Sequence, residues 1–107
     1  MDRYRIAFVG YEIYIWPKDG QQTTPVESFV NAFNAAGVPA SIQKDQLGHW
    51  LVFAGHQSAL SLEVKDAMVK AGGMKFVGLQ DPSLVDKIVF VLHGLGWTVG
   101  DDEGEFE

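Results

Sequence analysis

Residues 24–39, TPVESFVNAFNAAGVP, constrain the fold more than any other stretch, because they mark both ends of a helix and its apolar face. Thr24, Pro25 and Glu27 supply an N-cap, a first-turn proline and the reciprocal partner of a capping box. Val26, Phe29, Val30 and Phe33 recur at i, i+3, i+4 and i+7, which sets them on one side of a 3.6-residue helix. Gly37 stands where a left-handed terminator belongs, Val38 is placed to touch Phe33, and Pro39 bars continuation. A helix with this stripe must bury it against a second layer.

Strand signals surround it. Residues 4–16, YRIAFVGYEIYIW, are aromatic and β-branched, and the run is long enough that Gly10 marks a bulge, a bend or a tight turn. PKDG at 17–20 is a turn, and ASIQKDQLGHWLVFAG at 40–55 reads as two strands joined around Asp45–Gly48. A second helix is expected from Ser58 or Ser61 to Ala71, with Leu60, Val64, Ala67, Met68 and Ala71 as its stripe and Gly72-Gly73 as its stop. MKFVGL at 74–79 is a short strand. Asp81-Pro82 then opens a third helix that carries Leu84, Val85, Ile88, Val91, Leu92 and Leu95 on one side and stops at Gly96. Within it, KIVFVLH is also compatible with a buried strand.

The resulting order predicts an α+β fold, a ferredoxin-like βαββαβ sandwich with an extra C-terminal helix. Such a sandwich packs two helices on one face of an antiparallel sheet, and the extra helix is a natural cover for the other face. The ending GDDEGEFE is polar and broken by glycine, so the expected organisation is one domain over 1–100 and a disordered acidic tail over 101–107.

Charge and composition sort the function classes. Eight Lys and Arg oppose fourteen Asp and Glu, a formal charge of −6, yet five of the acids lie in the last seven residues. The body is therefore nearly neutral, and without a basic footprint direct nucleic-acid binding is not expected. The chain has no cysteine, which removes disulfides, thiolate metal sites and a cysteine nucleophile, and fits a cytoplasmic protein. IVFVL at 88–92 is too short to span a bilayer, and the first twelve residues do not read as a secretory signal, so no membrane association is expected.

The first strand raises the functional question. One parity holds Ala7, Val9, Tyr11, Ile13 and Ile15, the other Phe8, Glu12, Tyr14 and Trp16. If the first parity meets the helices, Tyr14 and Trp16 lie on the far face beside Trp50. There they are core under the third helix, a rim, or anchors for a partner. An open aromatic sheet is also how RNA-recognition domains stack bases, but the basic stripe is missing. Phe90 falls opposite the stripe of the third helix, as an isolated exposed ring or, with Val89, as a patch for a partner or a second copy. The acidic end is a solvated tail or a competitor for a positively charged surface, with Phe106 as its apolar anchor.

Catalytic motifs are missing. His49, His56 and His93 are scattered, and no G-x-S-x-G elbow or phosphate loop occurs. GLGWTVG at 94–100 lacks the strand-then-helix setting of a dinucleotide site. Neither a cofactor nor a metal is expected, and the chain is not read as an enzyme.

Residues 26–78 resemble a SPOR repeat, the small peptidoglycan-binding domain of bacterial division proteins. The likeness lies in a helix ending in AAGVPA, a hairpin, the strand HWLVFAG, a helix ending in KAG and a closing strand. The resemblance implies a sheet face that binds glycan strands; it transfers no site residues, and the insertion PKDGQQTT after the first strand departs from the pattern. The expected function is a non-enzymatic protein-binding module, an inhibitor of the immunity or bacteriophage anti-host or anti-defence kind that blocks a partner's surface. Its candidate contacts are Tyr14, Trp16, Trp50, Phe90, Asp101, Asp102, Glu103, Glu105 and Phe106, its partner is a protein with a basic surface, and a homodimer is compatible with the pattern. The alternative is a glycan- or small-molecule-binding domain that uses the aromatic sheet face.

Overall fold

A computed structural model of the chain describes residues 11–19, 24–56, 58–76, 82–101 and 104–106. In chain order the elements are β1 (Tyr11–Pro17), β2 (Thr24–Pro25), α1 (Val26–Ala35), β3 (Ala40–Asp45), β4 (Gly48–Phe53), β5 (Ala59–Lys65), β6 (Met68–Phe76), α2 (Pro82–Gly94), β7 (Trp97–Asp101) and β8 (Gly104–Glu105). One sheet runs β3-β4-β5-β6-β1-β7-β8, with β2 paired to β6. Every pairing is antiparallel. The expected strand over 4–16 is described only from Tyr11 onward, so Gly10 lies outside the described residues.

This is not the ferredoxin-like βαββαβ sandwich that the sequence predicts. The second helix is absent, and its residues form the β5–β6 hairpin. Leu60 and Val64 satisfy both a helical and an alternating pattern. Leu62, buried between exposed Ser61 and Glu63, satisfies only the alternating one. The hairpin turns through Asp66 and Ala67, at φ of 55° and 64°, the positive pair that a two-residue turn of matching twist requires. Neither residue is glycine or asparagine, so the usual hairpin signal is missing from the sequence. The register shifts from Glu63↔Ala71 to Val64↔Val69, which leaves Lys70 as the extra residue of a bulge. That extra residue lets Val69 and Met74 both face the core although they are five apart. Gly72, expected to stop a helix, sits mid-strand, where a Cβ would come within 2.5 Å of the Ser61 carbonyl oxygen.

α1 stops as its spacing predicts. Gly37 has φ of 81°, Val38 donates its N–H to the Phe33 carbonyl at 2.9 Å, and Gly37 donates to Asn34 at 3.1 Å. Its start differs. Thr24 belongs to β2 and makes no cap; its buried Oγ1 instead accepts the Trp97 indole N–H at 2.7 Å, and the expected capping box is not formed. Burial of an indole N–H requires an acceptor, and this demand outweighs the capping preference. In the last turn of the helix, the Asn34 amide both donates to the Ala40 carbonyl and accepts the Ala40 N–H, and so ties off the start of edge strand β3.

Both helices cover the same sheet face. Ile13, Ile15, Leu51, Phe53, Leu60, Leu62, Met74, Trp97 and Val99 form one core with Phe29 and Phe33 of α1 and Leu84, Val85, Ile88 and Leu92 of α2. Phe29 meets Trp97 edge-on with centroids 5.1 Å apart, and Phe33 meets Phe53 at 5.2 Å. α2 is a helix and packs on β7 and α1, so it does not cover the second face as the sequence predicts.

The expected disordered tail is corrected as well for its described residues, 101 and 104–106. β7 runs through Gly100 to Asp101, and Gly104 and Glu105 pair back onto it. Phe106 donates its N–H to the Val99 carbonyl at 2.7 Å, and its side chain is fully buried. A benzyl group gains more from the core than from water, and that holds Gly104 and Glu105 in an edge strand.

Candidate functional site

The helix-free face carries the opposite parity of every long strand. Successive pairings set Gln43, Trp50, Ser61, Gly73, Tyr14, Gly100 and Glu105 in one row across the sheet. Trp50 and Tyr14 are three strand spacings apart in this row, about 14 Å. Between them stand only Ser61 and Gly73. The small residues leave an open trough of about 900 Å³ along β5 and β6, floored by Ala59, Ser61, Ala71 and Gly73. Glu12 and Tyr14 line one side, Trp50 and Leu47 the other, and Glu63 also lines it.

Each wall is fixed locally. On the β4 side the Asp45 Oδ1 accepts three hydrogen bonds, from the Leu47 N–H at 2.8 Å, the Gly48 N–H at 3.1 Å and the Trp50 indole N–H at 3.2 Å. The first two shape the β3–β4 turn, where Gly48 takes φ of 140°, and the third orients the Trp50 ring. The indole donor first, then the Leu47 amide, holds the Asp45 carboxyl below its ordinary value. The turn leaves Leu47 85% exposed at the rim. On the β1 side Tyr14 donates to Glu12 at 3.3 Å and is 39% exposed. Gly73, without a side chain, leaves the floor flat beside the Tyr14 ring, and a Cβ there would meet the Ile13 carbonyl oxygen at 3.2 Å.

The structure divides the residues that the sequence singles out. Tyr14 and Trp50 line the trough together. Trp16 shares their face at 38% exposure but lies over β7, where a Cβ on Gly100 would meet its Cη2 at 2.8 Å. Glu105 ends the same row on β8. Asp101 lies in β7, and Asp102 and Glu103 lie outside the described residues. Phe106 is in the core. Phe90 is 74% exposed on α2, on the other side of the molecule, beside a depression of about 630 Å³ that includes Ala32, Ala35, Ala36 and Leu95. Leu47, Ser61, Glu63 and Gly73, which line the trough, and Asp45, which holds Trp50, are not nominated by the sequence. The alternation of Ser61 and Glu63 with Leu60 and Leu62 is the signal that places two of them.

Among the described residues no group of three or more His, Asp or Glu side chains is arranged to hold a metal ion, and no helix is long and apolar enough to cross a membrane. No family model matches the chain, and neither a curated protein nor a solved structure matches it.

Proposed function

We propose that this chain is a non-enzymatic protein-binding module that acts by occluding a partner's surface, as an inhibitor of the immunity or anti-host kind does, and that its contact surface is the helix-free sheet face. One observation carries the reading. Tyr14 and Trp50 stand at the two sides of a trough whose floor is cleared of side-chain bulk, on a face that neither helix covers. Aromatic rings with a polar handle, held on rigid strands and partly exposed, are the side chains that anchor interfaces. Exposed Leu47 and Trp16 extend the apolar area on either side of the pair.

A glycan reading draws on the same rings, since Ser61 and Glu63 beside Trp50 and Tyr14 could bind sugar hydroxyls. It loses the SPOR analogy, because residues 58–71 are not the helix on which that analogy depends. Affinity capture tests the primary reading, with wild type, a Tyr14→Ala/Trp50→Ala double variant and Phe90→Ala run side by side after each is shown to fold. A specific protein retained by wild type and Phe90→Ala and lost by the double variant is expected. Retention by the double variant would refute the assignment of the face, and binding of chitin or peptidoglycan fragments with no protein captured would favour the glycan reading.

A further inference from the structure

The lining of the trough also defines the chemistry of what lies in it. Its described residues include two glutamates, Glu12 and Glu63, two aromatic rings and two serines, and no lysine, arginine or histidine. Asp45 adds a third carboxylate behind Trp50. Basic residues enter at the margins: Lys65 ends β5 two residues beyond Glu63, and Lys75 stands opposite Glu12 in the β1–β6 register.

We infer that the trough takes an extended, basic segment of a partner protein, lying along β5 and β6 with two cationic side chains four residues apart. This inference rests on the protein-binding reading of the face. The spacing follows from register. Glu12 is two residues from the Tyr14–Gly73–Ser61 row in one direction along the strands, and Glu63 is two residues from it in the other. The two residues are therefore about 13 Å apart along the strand axis, the rise of four residues of extended chain, and two strand spacings, about 10 Å, apart across it. Side chains at i and i+4 of an extended segment point to the same side, and those at i and i+3 do not. Tyr14 and Trp50 narrow the 14 Å between the walls, which suits an extended chain better than a helix of about 10–12 Å diameter. Arginine adds to the fit, because its guanidinium both stacks on Trp or Tyr and pairs with a carboxylate.

The test is a titration of the intact, ¹⁵N-labelled chain with three acetylated and amidated heptapeptides, followed by amide shifts and the Trp50 indole signal. The first is Thr-Arg-Thr-Val-Thr-Arg-Thr, with arginines at i and i+4. The second, Thr-Arg-Thr-Val-Arg-Thr-Thr, has the same composition at i and i+3, and the third replaces both arginines of the first with citrulline. Saturable shifts at Tyr14, Ser61, Glu63, Gly73 and Trp50 are expected with the first. Binding should be about threefold weaker with the second and about tenfold weaker with the third, as two exposed ion pairs allow. Glu63→Gln and Glu12→Gln should each weaken the first by about two- to fivefold, and 0.2 M salt should weaken it several-fold. Equal binding of the citrulline peptide would overturn the cationic assignment and leave the protein-binding reading in place. Absence of trough shifts with all three would overturn it as well. The protein-binding reading is judged separately, by capture with the Tyr14→Ala/Trp50→Ala variant.

Discussion

Replacing Phe106 by alanine should destabilise the chain as a core mutation does, although the residue is the last but one of an acidic terminus. Its side chain is fully buried, and its N–H closes onto Val99. A buried phenyl ring removes about 150–200 Å² of apolar surface from water, which at about 25 cal/mol per Å² is worth about 4–5 kcal/mol. Alanine retains a small part of this, so a loss of about 3–4 kcal/mol is expected, in the range measured for Phe→Ala in cores. Urea unfolding followed by tryptophan fluorescence would read the change as a fall in midpoint with an unaltered slope. Phe106→Leu should lose about 1 kcal/mol and stay folded if the alanine variant does not. Glu105→Ala, at the neighbouring exposed position on β8, should lie within about 0.5 kcal/mol of wild type. Phe106→Ala within the same margin would refute the placement of this ring in the core.

Two further outcomes follow from single hydrogen bonds. Thr24→Val keeps the shape of the side chain but leaves the buried Trp97 indole N–H without its acceptor, and should cost about 1–3 kcal/mol in the same unfolding assay, whereas loss of an exposed helix cap replaced by a branched residue would mainly fray α1 in circular dichroism. The Asp45 carboxyl has a folded pKa below its unfolded value, so its hydrogen bond to Trp50 is fully present above the unfolded value and is lost as pH falls through the folded one. The Trp50 indole ¹H–¹⁵N signal should therefore hold its position from pH 7 down to about pH 4 and move only below that, and should be displaced at all pH values in Asp45→Ala.

The parts of the fold that the sequence makes legible are those carried by local signals. Gly37, Val38 and Pro39 mark the end of α1 because the terminating hydrogen bonds span only a few residues. Pro82 and the apolar spacing from Leu84 to Leu92 mark α2 for the same reason. The β5–β6 hairpin is ambiguous at that level. Leu60, Val64 and Met68 fit a helical stripe, Leu62 breaks it, and the turn at Asp66 and Ala67 lacks the glycine that would announce it. Phe106 is hidden by its neighbours, since composition reads the acids as a solvated end and cannot see that one ring reaches the core. The trough is the least local feature. It depends on a cross-strand row that joins residues 14, 50, 61 and 73, and only the order β4-β5-β6-β1 brings them together. The strand parity that sets Tyr14 and Trp16 opposite Ile13 and Ile15 is legible, but which face the last helix covers is a matter of tertiary packing.

Acrylamide quenching of tryptophan fluorescence tests most directly that the aromatic face is bare while the core face is covered. Trp97 is retained throughout, and wild type is compared with Trp16→Phe, Trp50→Phe and the double variant. Removing either Trp16 or Trp50 should eliminate a readily quenched fraction of the emission, and the double variant, with Trp97 alone at 1% exposure, should be quenched several-fold less than wild type. Equal and weak quenching in all four would show the face to be covered in solution, and would contradict its assignment as a free binding surface.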